Sequence, residues 1–147
     1  MRGRWMFATM RYHPITIGLL LVASVTACHT PAGDALFLNQ SASTCNVSGG
    51  CAFLLTGTLP GRTNGPNQGA GHAFSVNINP NAIGDTGSIG SGAWVVNVQG
   101  SCVLTTNLNI NIPAGPSQFC VFCGNSGPPC IFADGTAAIP IQLEPAR

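Results

Sequence analysis

Apolar and polar residues alternate with a period of two along much of this chain. Phe74, Val76 and Ile78 fall on one side of their run, and Ser75, Asn77 and Asn79 on the other. The pattern repeats where Trp94, Val96 and Val98 oppose Val95, Asn97 and Gln99. The clearest run sets Leu108, Ile110 and Ile112 against Asn109 and Asn111, with Leu104 and Thr106 in phase before it. Successive side chains point to opposite faces of a strand, so each run predicts a strand with one apolar and one polar face. One-sided strands of this kind suit antiparallel sheets with a wet outer surface. Residues 52–56, 119–122, 131–133 and 139–143 predict further strands. The last is expected at a sheet edge with Pro140 facing outward, because proline has no ladder donor. Asp134-Gly135 lies between two short apolar runs and predicts a tight type I′ hairpin.

No helical period is visible past residue 28, and the chain holds 19 glycines and 11 prolines. About seven short strands punctuated by Gly, Pro and Asn predict an all-β fold, a small antiparallel β-sandwich. Immunoglobulin-like architecture is one template for that strand count, although Trp94 lies too far past Cys51 for the immunoglobulin spacing. A stacked β-solenoid is disfavoured because no repeat has a fixed period.

The N-terminal residues are organised differently. Arg2, Arg4 and Arg11 give a positive start, and residues 15–23 are apolar except for Thr16 and Gly18. Ala27 then precedes Cys28. This three-part order is that of an export signal, and its apolar part is short for a bilayer about 30 Å thick. Val25-Thr26-Ala27-Cys28 resembles the lipobox of bacterial lipoprotein signal peptides. That resemblance covers residues 1–28 only. It implies removal of residues 1–27, a diacylglyceryl thioether on Cys28, and a membrane anchored through acyl chains. His29 follows the cysteine, where aspartate would imply inner-membrane retention, so the outer membrane is favoured. General secretion without lipid is the alternative, because Val25-Thr26-Ala27 also suits the general signal peptidase. On this reading residues 28–44 form the lipidated N-terminus and a tether, with residues 36–38 as a short strand or stem. Residues 45–147 form the sandwich domain.

Cysteine parity adds weight to that reading. The chain has 7 cysteines, and an odd count in an exported protein calls for an explanation. Setting Cys28 aside leaves Cys45, Cys51, Cys102, Cys120, Cys123 and Cys130, which can close into disulfides with none left over. Sequence alone does not fix their pairing. Nearness along the chain favours Cys45 with Cys51, Cys102 with the 120–130 cluster, and Cys123 with Cys130. Cys120-Val-Phe-Cys123 also has the spacing of a redox dithiol, but no helix N-terminus follows to lower a thiol pKa. A zinc site from this cluster and His72 would have one ligand pair where two are usual.

Charge removes some classes of function. The whole chain carries +1, with no lysine. Past residue 27, Arg62 and Arg147 face Asp34, Asp85, Asp134 and Glu144, a net charge of −2. So few cations exclude a phosphate-neutralising surface, and nucleic-acid binding with it. The four acids are scattered, with no spacing that suggests the facing carboxylates of a glycosidase. His72 follows a long loop that also carries Arg62, and this loop is the candidate binding surface. No cofactor motif or catalytic constellation stands out. The expected role is therefore non-enzymatic: structural support or protein contact in the cell envelope. A glycan-binding module using Trp94 as a stacking platform is the first alternative, and a thiol redox protein the second.

Overall fold

Alternation becomes pleat wherever the chain displays it. The computed structural model describes residues 31–61, 71–124 and 130–146. The strands are β1 (Ala32–Asn39), β2 (Phe53–Thr58), β3 (Ala73–Ile78), β4 (Ile83–Gly90), β5 (Gly92–Gln99), β6 (Thr106–Ile112), β7 (Gly115–Cys123) and β8 (Ile139–Leu143). One helical turn, α1 (Ser41–Thr44), follows β1. The strands form two four-stranded sheets, ordered β4-β1-β7-β8 and β3-β2-β5-β6. The expected β-sandwich therefore forms.

The β3-β2-β5-β6 sheet is antiparallel throughout. The other is mixed. β1 runs antiparallel to β4, but parallel to β7, and β7 runs parallel to β8. Alternation sets which face a residue takes but not the direction of its neighbour. Parallel partners need a long connection, and residues 124–138 supply one between β7 and β8. β8 is an edge strand, as the missing N–H of Pro140 requires, and the Pro140 ring is exposed.

The inner faces meet in an aromatic and aliphatic core. Phe37, Phe53, Leu55, Trp94, Val96, Val98, Ile112, Phe119 and Val121 are all essentially inaccessible. Phe37 stacks on Phe119 with ring centroids 5.1 Å apart, and Trp94 tilts against Phe74 at 5.2 Å. The Trp94 indole N–H donates to the Gly90 carbonyl at 2.8 Å, which satisfies a polar group that burial would otherwise penalise. Gly57 is needed under this cluster, since a Cβ there would collide with the Phe74 ring. The ring covers the bare backbone that glycine leaves in the strand.

Several expectations are corrected. Within the expected tether, residues 28–44, residues 36–38 do form a strand, as part of β1, but β1 is no stem: it lies inside a sheet with β4 on one side and β7 on the other. The folded unit begins at Pro31, well before the boundary set at residue 45. The signal was weak because β1 buries small or polar residues, Gly33, Ala35 and Asn39, beside Phe37. β4 has no apolar alternation at all. It forms by pairing with β1, across a register shift where Gly87 takes φ +68°. Residues 131–133 make only a single bridge, Ile131 to Ala137. The Asp134-Gly135 turn does form, but Gly135 alone takes a positive φ, 87°. Gly135 N–H donates to the Phe132 carbonyl at 2.8 Å, and Phe132 N–H to that of Thr136 at 2.9 Å. This is a type I turn closed by a glycine bulge, not type I′.

The disulfides also differ from the expected pairing. They join Cys45 to Cys123, Cys51 to Cys102, and Cys120 to Cys130. Strand parity explains the change. Cys123 belongs to the inner core with Phe119 and Val121, whereas Cys120 and Phe122 point to the opposite face of β7. Cys123 therefore meets Cys45 beside α1, and Cys120 meets Cys130 at the base of the 130–138 turn. Cys51 and Cys102 flank the paired ends of β2 and β5, where Leu54 lies opposite Gln99.

Candidate functional site: a groove between two sheet edges

β6 ends one sheet and β8 ends the other. Just beyond these strands the chain stitches the two edges together. Val103 bridges Pro145 antiparallel, Leu104 N–H donates to the Glu144 carbonyl at 2.9 Å, and Ala146 N–H to that of Cys102 at 3.0 Å. Farther along, the strands diverge and leave a groove of about 470 Å³, lined by Leu108, Ile110, Pro113, Phe119, Ile139 and Ile141. The remaining lining residues are Asn109, Asn111, Pro140 and Gln142, so no charge lines the groove. Its volume lies within the usual range for ligand pockets. Ile139 is 51 % exposed beside it. The β6 edge carries no charge, proline or bulge, the devices that ordinarily blunt an open edge.

A second cluster lies across β1 and β4. Asp34 and Asp85 come within hydrogen-bonding reach. Asp34 holds its proton above the usual carboxylate value, because it donates to Asp85, is partly desolvated and feels that neighbour's charge. Asp85 falls below, because it accepts from Asp34 and from the Gly87 N–H, the latter at 2.8 Å. The sequence spacing gave no hint of this pair. Carboxyls close enough to share a proton sit within about 3 Å, whereas glycosidase pairs stand roughly 5–9.5 Å apart around a sugar bond. The pair is thus a poor fit to glycoside hydrolysis.

A third polar cluster is structural. Asn39, fully buried, donates to the carbonyls of Cys51 and Ile78, both at 2.9 Å, and accepts from Ser41 N–H at 2.9 Å. Ser41 Oγ donates to the Cys51 carbonyl and accepts from its N–H, each at 3.0 Å. These bonds fasten the end of β1 to the start of β2 and the end of β3 in the opposite sheet, and use up the polar atoms they involve.

The residues singled out from sequence fall as follows. Cys28 and Arg62 lie outside the described residues. His72 is half-buried at the start of β3, and its carbonyl accepts the Leu59 N–H at 2.8 Å. Trp94 is wholly buried and has no face to offer a sugar ring. Cys120 and Cys123 are each bonded to other cysteines, so they form no dithiol with each other, and the thiols of the imagined zinc site are consumed. Among the described residues, no group of three or more His, Cys, Asp or Glu side chains is placed to hold a metal ion. The groove was missed because its two walls are strands distant in sequence. Only the openness of β8, marked by Pro140, was legible.

Compared with known protein families, curated proteins and solved structures, the chain matches none. The fold and groove define a disulfide-stapled β-sandwich with an apolar seam. The disulfides point to an oxidising, extracytoplasmic compartment. Among the described residues no helix is long and apolar enough to cross a membrane.

Proposed function

We propose that this protein is a lipid-anchored module of the cell envelope with a non-enzymatic role, structural or in protein contact. The observation that supports the anchor is cysteine closure. All six cysteines past residue 44 are paired with one another, so none of them is left over to pair with Cys28, as a lipid-carrying cysteine requires. The Val25-Thr26-Ala27-Cys28 motif supplies the site. Because the sandwich begins at Pro31, residues 28–30 reach at most about 10 Å, so an anchored domain would sit against the bilayer rather than on a long stalk. The His29 position favours the outer membrane. The non-enzymatic role rests on how the polar side chains are used: those of Asn39, Ser41, Asp134 and Thr136 are engaged in holding turns and strand ends.

Intact mass of the membrane-extracted protein, with and without reduction and alkylation, tests this reading. The expected result is a chain starting at Cys28 with acyl chains attached, alkylated on six cysteines only after reduction. A chain without lipid would describe a secreted protein and overturn the anchor. Alkylation without reduction would overturn the staples.

A further inference from the structure

The strand that follows the anchoring position begins beside the groove. Ser91 N–H donates to the Pro31 carbonyl at 3.0 Å. Gly92, next in sequence, lies opposite Ile112 in the β5–β6 ladder. Gly33 packs so closely on Pro113 that a Cβ there would stand 2.6 Å from its carbonyl oxygen. Pro113 in turn lines the groove. The chain therefore enters the sandwich at the divergent end of the β6–β8 seam, away from the stitch at residues 102–104 and 144–146.

We infer that the groove between β6 and β8 shelters an acyl chain of the Cys28 anchor. The inference rests on the anchor reading above. The length of chain and the place where it meets the fold carry the argument. With only residues 28–30 before Pro31, the point of lipid attachment is held within about 10 Å of Pro31, where the chain enters at that end of the seam. Covalent attachment so near makes occupancy intramolecular, at high effective concentration. The lining suits an alkyl chain, which demands no polar partner: Leu108, Ile110, Phe119, Ile139 and Ile141 are apolar, and no charge interrupts them. A peptide strand fits less well. Pro140 removes a donor in the β8 edge, so a strand laid in the seam could not be bonded continuously on both sides. Sheltering an acyl chain would cover the exposed Ile139 and leave the protein fewer apolar groups in water while it is away from a membrane.

The experiment compares the full lipidated protein, in mild detergent, with the Cys28→Ser form, which the general peptidase can still release. Hydrogen exchange is followed over residues 106–113 and 139–143, and binding of cis-parinaric acid is measured by fluorescence. The anchored form should exchange about tenfold more slowly over these two segments alone. The Cys28→Ser form should bind the fatty-acid probe, and the lipidated form should not. Ile139→Asp, half exposed and so tolerated by the fold, should abolish both the slowing and the probe binding, whereas Ile139→Leu should keep them. Equal exchange in the two forms, or probe binding to both or to neither, would overturn the inference while the mass still shows lipid. A mass without lipid would overturn the anchor reading itself, and this inference with it.

Discussion

Cys45 and Cys123 stand 78 residues apart in sequence and are joined by a disulfide with Cα atoms 4.9 Å apart. The bond ties the turn after β1 to the end of β7, so it closes most of the domain into one loop. The Cys120–Cys130 bond spans only 10 residues and fastens a single turn to the outer face of a sheet.

Loop length predicts how much each bond matters. In the chain-entropy account, the long loop is worth about 4–5 kcal/mol and the short one about 2–3 kcal/mol. The Cys45→Ala/Cys123→Ala double variant should therefore unfold at markedly lower denaturant than Cys120→Ala/Cys130→Ala. Equilibrium denaturation of both variants checks the order, and the reverse ranking would show that loop entropy is not the governing effect.

Asn39→Ala should be among the most damaging polar substitutions. It takes the amide partner from the buried Ile78 carbonyl and from the Ser41 N–H, and leaves the Cys51 carbonyl with the Ser41 hydroxyl alone. Each orphaned group costs about 1–3 kcal/mol, so a loss of at least about 2 kcal/mol is expected in thermal or denaturant unfolding. A loss within a few tenths of a kcal/mol, the ordinary range for surface changes, would mean that water replaces the amide.

The carboxyl pair should give the domain a pH signature. Asp34 is raised in the folded protein, so the stability it contributes is present at low pH and is lost as pH rises from the unfolded carboxylate value through its raised one. Asp85 is lowered and works oppositely, losing its contribution as pH falls through the lowered value. Asp34→Asn keeps a donor toward Asp85 but never ionises. It should melt slightly higher than the parent at pH 7 and equal to it near pH 3. Asp85 is exposed and Asp34 half-buried, so solvent screening holds the gain below about 1 kcal/mol. A stability difference that does not change between the two pH values would break the assignment.

Trp94 offers an optical check on the glycan alternative. The chain's other tryptophan is Trp5, so once residues 1–27 are removed Trp94 is the single reporter. Buried against Phe74 and bonded to Gly90, it should emit at short wavelength, resist quenching by iodide and ignore added oligosaccharides. Trp94→Phe should cost stability by removing that bond and leaving a cavity. Quenching by a sugar would reopen the glycan reading.

The sequence by itself determined the class of fold and most of its strands. β3, β5, β6 and β8 were legible because apolar residues recur at every second position, and alternation acts locally through the pleat; β2 and the end of β7 were legible as short apolar runs at 52–56 and 119–122. Pro140 marked its own strand as an edge for an equally local reason, the missing N–H. Cysteine parity likewise needed only counting. Tertiary structure decided the rest. β1 and β4 are strands because each pairs with the other, although Ala35, Asn39 and the Gly-Asp-Thr-Gly run of β4 give little apolar signal. The disulfide partners follow from which face of β7 holds Cys120 and which holds Cys123, and from what the second sheet brings opposite. The Asp34–Asp85 pair and the β6–β8 groove exist only where distant segments meet. Pairing energy between strands is non-local, so a pattern read one segment at a time shows the faces of the strands but not their neighbours.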